Sequence, residues 1–304
     1  GQQVIDYASV LLDADPKSAH VKSKKYGNLL HYVCRQKPIS LVLVQKLCND
    51  PQAALKKDKN GNLPIHFVVE RKDFSPAMVE IILALIRVNP STMSVKDKDG
   101  NLPLHSAIES GDKIPITVLK EMLDAFPGAA VVLDKDKNTP LHSACECRVK
   151  DIFNIVQMLL EADPEGVAVK TKDRDGNLAI HSACEKIGVP GKIQARVIHV
   201  LMEAYPEGLR IKDKDGNLPI HSAIETKTEL PVSVIKTMID KFGGATKIKD
   251  KDGNLPLHSC FHYLHGQQVI DYASVLLDAD PKSAHVKSKK YGNLLHYVCR
   301  QKPI

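Results

Sequence analysis

No tryptophan occurs in this chain, and aromatic residues make up only 5% of it, so it offers no platform on which nucleic-acid bases would stack. There is no Cys-x-x-Cys pair, which removes the usual zinc-site signature. No apolar run approaches the roughly 18 to 20 residues a membrane span needs, and no signal or transit peptide pattern is visible. The one Asn-x-Ser candidate, Asn89-Pro90-Ser91, is blocked by its proline. No nucleophile stands at a telling distance from a base, no glycine loop is built to cradle phosphate, and no carboxylates pair in a plausible cleft. The chain therefore reads as a non-enzyme without a cofactor.

Excess charge is scarce too. The net charge of +6 shrinks once the chain's internal repetition is seen, because residues 266–304 repeat residues 1–39 letter for letter at an offset of 265. The 39-residue copy holds six Lys/Arg and three Asp, so one block carries +3. That is too little to argue for a nucleic-acid or acidic-membrane partner. Identity at solvated positions such as Gln2/Gln267, Lys17/Lys282 and Gln36/Gln301 is not enforced by packing; it reports a block duplication or a deliberate choice of chain ends.

A shorter period lies inside the block. His31, His66, His105, His142, His181, His221, His258 and His296 recur at spacings of 35 to 40 residues, and seven steps fill the 265. One unit reads Asp97-Lys98-Asp99-Gly100-Asn101-Leu102-Pro103-Leu104-His105-Ser106-Ala107-Ile108-Glu109, a polar stretch, then Pro115 to Pro127. Asp-Gly-Asn is turn chemistry. Pro103 suits the first turn of a helix, and Leu104, Ala107 and Ile108 give it an apolar face. A second helix follows, with a broad stripe of Val118, Leu119, Met122, Leu123 and Phe126. All 18 prolines fit this plan: five open the first helix, six open the second, and seven follow it.

The segment Asp-x-Asp-Gly-Asn-x-Pro-Leu/Ile-His-Ser-Ala, at 97–107, at 213–223 and from 250 with Cys260 in the alanine place, resembles the ankyrin repeat. The unit of about 38 residues is longer than the family's roughly 33, and is most similar to the long variants of some unicellular algae. The resemblance implies an all-α solenoid of helix-turn-helix repeats with β-turn or hairpin fingers, stacked as a superhelical array. Repeats are placed at 22–57, 58–96, 97–133, 134–171, 172–212, 213–249 and 250–288, with partial repeats at 1–21 and 289–304, all in one solenoid over 1–304. Some positions depart from the pattern. The threonine before proline survives only as Thr139, unit one (Tyr26 to His31) lacks the proline, and Lys137 stands where Gly61, Gly100, Gly176, Gly216 and Gly253 stand elsewhere.

The resemblance implies a structural role for the eight histidines, packed against the neighbouring turn rather than ligating metal. Asp-Lys-Asp-Gly-Asn fails as an EF-hand, since the sixth and twelfth positions counted from Asp97 are Leu102 and Ile108. Two columns form a candidate interaction surface. Lys59, Lys98, Lys135, Arg174, Lys214 and Lys251 alternate at the fingertips with Asp58, Asp97, Asp134, Asp173, Asp213 and Asp250. Glu70, Glu109, Glu146, Glu185 and Glu225 stand four residues after each histidine on the exposed side of the first helix, and serines such as Ser143 and Ser222 directly follow the histidine.

These columns present the same face at every step, which suits a rod or lattice better than a socket for one partner. The chain is also expected to open with a lone second helix (Val4, Ile5, Ala8, Ser9, Leu11 and Leu12) and to stop short of the last one, leaving apolar faces without polar end units. The first reading is a structural protein, a segment of a long array whose blocks build a filament or tube, with the chain itself as partner. The alternative is an intracellular scaffold binding other proteins through its fingertips or first helices. Unpaired cysteines favour a reducing, cytoplasmic setting; an extracellular fibre is the open alternative.

Overall fold

The computed structural model describes residues 10, 12–15, 27–37, 39–71, 74–111, 114–147, 151–186, 188–226, 228–289 and 292–300, without the side chains of 296, 297 and 300. The expected helical start at Val4, Ile5, Ala8, Ser9 and Leu11 and the imidazole of His296 lie outside the described residues. The chain forms two compact units, Gly1–Asp163 and Pro164–Ile304. Each is an all-α stack of one repeating motif: finger turn, short first helix, longer second helix, short helical turn.

In the first unit the first helices are Leu29–Arg35, Pro64–Val69, Pro103–Glu109 and Pro140–Glu146. Their second helices are Leu41–Leu47, Pro76–Val88, Ile116–Ala125 and Ile152–Glu161. In the second unit Ala179–Glu185, Pro219–Glu225, Pro256–Tyr263 and Leu294–Arg300 alternate with Gly191–Ala204, Val232–Lys241 and Gln267–Ala279. The core lies where the two apolar stripes meet: Leu104, Ala107 and Ile108 are buried with Val118, Leu119, Met122 and Leu123. Proline opens the first helix at its first position, where no N–H is missed. In the second helix Pro76 does the same, whereas Pro115, Pro190 and Pro231 stand one place earlier, as caps.

The prolines after the second helix do more than end it. They open a further turn, seen at Pro51–Ala54, Pro90–Ser94, Pro127–Val131, Pro206–Arg210 and Pro281–His285. The residue before each is forced out of the α region: Asn89 has φ −151° and ψ 91°, Phe126 φ −149° and ψ 85°. The chain bends there and starts a new short helix.

The fingers are turns rather than hairpin strands. Among the described residues there is no strand; an isolated antiparallel bridge joins Ser288 and Gly292. Asp97 builds its finger alone: its Oδ1 accepts from the N–H groups of Asp99 at 2.8 Å and Asn101 at 2.9 Å, and its own N–H donates to the Asn101 carbonyl at 2.9 Å. This closure needs a left-handed residue at the fourth place, filled by Gly100 at φ +80°. Lys137 takes that conformation at φ +66°, in a finger closed by the same bonds from Asp134. A left-handed non-glycine residue costs about 1–2 kcal/mol, against about 0.5–1 kcal/mol for the extra freedom of glycine in the unfolded chain. Lys137→Gly is therefore expected to raise stability by about 0.5–1 kcal/mol in urea unfolding; a loss of stability would show that the lysine conformation is not strained.

Candidate functional site

Four columns of side chains run along each stack, and the histidines form the innermost. Each Nδ1 accepts the N–H that opens its own helix: Leu63 to His66 at 3.0 Å, Leu102 to His105 at 3.2 Å, Thr139 to His142 at 3.3 Å, Leu178 to His181 at 3.1 Å, Leu218 to His221 at 3.2 Å and Leu255 to His258 at 3.1 Å. Asn28 to His31, at 3.3 Å, completes the set in the unit without proline, where the Asn28 side chain also caps the His31 N–H. Only Thr139 adds its hydroxyl, 2.9 Å from His142 Nδ1. An accepting Nδ1 leaves the proton on Nε2, which donates into the next repeat: His31 to Asn62 O at 3.0 Å, His181 to Ile211 O at 3.1 Å and His258 to Val286 O at 3.0 Å. In His66, His105 and His221 the buried Nε2 makes no hydrogen bond, although the backbone of Asn101, Asn138 and Asn254 acts on these rings. Burial outweighs nearby carboxylates and lowers the pKa of His66, His105, His181, His221 and His258, to about 4 in His181 and His221. These are neutral rings that order their own helix starts, and His31, His181 and His258 also tie them to the next repeat.

The fingertip column pairs differently from the simple Asp/Lys alternation. The first aspartate closes its own turn, and Asp58 also takes a cation, Arg35 at 2.9 Å; the fingertip lysine reaches the second aspartate, Lys135 Nζ lying 3.3 Å from Asp99 and Lys251 pairing with Asp215. Backbone bonds follow the same step, Lys135 N to Asp99 O at 3.0 Å, Lys214 N to Asp175 O at 2.9 Å and Lys251 N to Asp215 O at 2.9 Å. Among the described residues Lys59, Lys98 and Lys214 make no ion pair. Such exposed pairs contribute only about 0.2–1 kcal/mol; they set register more than stability.

A third column was not anticipated. Lys57, Lys96, Lys172, Lys212 and Lys249, each just before a finger, donate Nζ to the carbonyl at the same place in the next repeat, at 3.0, 2.6, 2.9, 2.6 and 3.2 Å. Much of the basic character along the fingers is thus used internally.

The glutamates keep exposed surface, but the carboxyl groups of Glu109, Glu185 and Glu225 are engaged. Ser143, Ser222 and Ser259 of the following repeat donate to Glu109 at 3.2 Å, Glu185 at 2.8 Å and Glu225 at 3.0 Å. Desolvation raises the pKa of Glu70, Glu109 and Glu185, and that of Glu225 to about 7. A carboxyl whose folded pKa lies above its unfolded value stabilises fully below about 4.5, and that gain is lost as pH rises through about 7. Glu225→Gln keeps the acceptor for Ser259 without the charge. It is expected to be more stable than the parent at pH 8 by roughly 1–2 kcal/mol after allowance for solvent screening, and nearly equal at pH 5. A stability difference independent of pH, read by urea titration, would refute this.

Among the described residues no group of three or more His, Cys, Asp or Glu is placed to hold a metal ion, and no helix is long and apolar enough to cross a membrane. Cys34, Cys145, Cys184 and Cys260 are buried and none is in a disulfide; burial pushes the thiols of Cys34 and Cys260 well up, and that of Cys48 up to about 11.

Residues 75–173 match the family model described as ankyrin repeats (3 copies). Among solved structures, the ankyrin repeat domain of Bcl-3, described as a unique member of the IkappaB protein family, aligns with 21% identity and a TM-score of 0.56, covering 82% of this chain and 99% of that one. At that identity the likeness speaks for the fold. No curated protein shows a significant match.

Proposed function

We propose, from the premise that the chain is an ankyrin-repeat protein, that it is a structural segment of an array with a 265-residue block, polymerising along its own axis as a filament or tube. Ankyrin repeats in general mediate protein–protein interaction and serve as scaffolds rather than enzymes. The observation that carries the finer reading is the join between blocks. The second copy, residues 266–304, enters as an ordinary repeat: the helix Gln267–Ala279 packs on Pro256–Tyr263, the turn Pro281–His285 follows, and the helix Leu294–Arg300 has the same length as its twin Leu29–Arg35. Across this join His258 reaches Val286 O as His181 reaches Ile211 O, and Ser288 Oγ donates to Asn254 Oδ1 at 2.6 Å. A block that meets its own copy through an ordinary step extends by a repeated screw operation, and a screw that does not close gives a fibre.

Chains of one, two and three blocks test this. Each added 265 residues should lengthen the particle by a constant increment in X-ray scattering, with rods of matching length in electron microscopy. Increments that vanish, or capture of one globular protein at fixed stoichiometry by the finger face, would favour the scaffold reading, which Lys59, Lys98 and Lys214 would serve.

A further inference from the structure

The two identical copies show opposite faces of one element. In the first copy Leu30 is 0% exposed while Leu29 is half-buried; in the second Leu295, the twin of Leu30, is 71% exposed and Leu294, the twin of Leu29, is buried. Val33 and Cys34 are buried, whereas Val298 is half-buried and Cys299 exposed. Leu295 and Val298 line an apolar groove of about 330 Å³ with Leu257, Phe261, Leu277 and Leu294. What covers the same residues in the first copy is on view: the helices Leu41–Leu47 and Pro64–Val69 pack on Leu29–Arg35, burying Leu43, Val44 and Leu47.

The polar groups that this cover contacts recur in the second copy. Lys46 Nζ meets Asp13 at 2.6 Å, and Asp278, the twin of Asp13, is exposed. Asn28 Nδ2 donates to Ala53 O at 2.8 Å, and Asn293, its twin, lines the groove. Arg71 Nη1 donates to Cys34 O at 3.2 Å, matching the carbonyl of Cys299.

Resting on the array reading, we infer that the groove at Leu277, Leu295 and Val298 is the docking site for a segment with the sequence of residues 40–71, the start of the next block joined in the same chain. Exchange between separate chains is disfavoured. A donor's own Asp13, Asn28 and helix Leu29–Arg35 already hold its 40–71 segment at high effective concentration, and swapping one cover for an identical one gains nothing.

The probe is a fluorescently labelled peptide of residues 40–71 added to the full 304-residue chain, whose own first copy is already covered. Saturable anisotropy binding is expected, weakened at least about tenfold by Leu295→Asp and about fivefold by Asp278→Lys in the chain. Lys46→Asp in the peptide should restore binding to the Asp278→Lys chain. Absence of saturable binding at high micromolar peptide, or undiminished binding to Leu295→Asp, overturns the docking. A constant length increment per covalent block would still uphold the array in that event, so the two failures are separable.

Discussion

Replacing His221 by alanine is expected to destabilise the protein by about 3–5 kcal/mol, far more than any fingertip substitution. Two losses add. The ring is fully buried, and its removal leaves a void whose cost is that of a large-to-small core change, about 2–3 kcal/mol for a side chain of this size. The Leu218 N–H, which now donates to His221 Nδ1 at 3.2 Å, is left buried without an acceptor at about 1–3 kcal/mol. Exposed Lys59→Ala should stay within about 0.5 kcal/mol, so urea unfolding separates structural from surface columns. The pH dependence adds a second signature. The His221 pKa is depressed from 6.5 to about 4, chiefly by burial, so its contribution is whole above about pH 6.5 and is lost as pH falls toward 4. The gap between parent and variant should narrow over that interval. A cost below about 1 kcal/mol with unchanged pH dependence would mean that the histidine column does not hold the stack.

What was legible in the sequence is whatever repeats at a fixed place and acts within its own unit. The prolines at helix starts, the bond from each histidine to its own helix start and the left-handed place that Lys137 takes from glycine all belong here, because local backbone geometry marks those places. What stayed hidden acts between units. Ser222 and Glu185 lie 37 residues apart, and each was visible as a column, but their meeting depends on the stacking step. The Lys57, Lys96 and Lys212 bonds were hidden for another reason: their acceptors are carbonyls, which every residue has and no sequence pattern marks. The fingertip pairing slipped by two residues because Asp97 and its equivalents satisfy their own turn first, leaving Asp99 and Asp215 to the lysines.

Gly191→Ala shows how stacking reverses a sign that local reasoning assigns. Gly191 is the first residue of the helix Gly191–Ala204, and helix propensity alone would favour alanine there by up to about 1 kcal/mol. In the stack, however, an added Cβ would fall inside the envelope of the Glu229 carbonyl oxygen, 3.0 Å from its carbon. The obstacle is backbone, and it is held in place. The Leu230 carbonyl accepts from Tyr272 Oη at 2.7 Å, and Thr228 Oγ1 donates to the Lys186 carbonyl at 2.9 Å. The loop cannot retreat without breaking bonds that fasten it on both sides, so overpacking of about 1–3 kcal/mol or more outweighs the propensity gain. Gly243 supplies the control: a Cβ there meets nothing within 4 Å, so Gly243→Ala should be neutral or slightly stabilising. Thermal unfolding of the two variants decides the matter, and a Gly191→Ala protein as stable as Gly243→Ala would mean that adjacent repeats are not packed as closely at this loop as the stack requires.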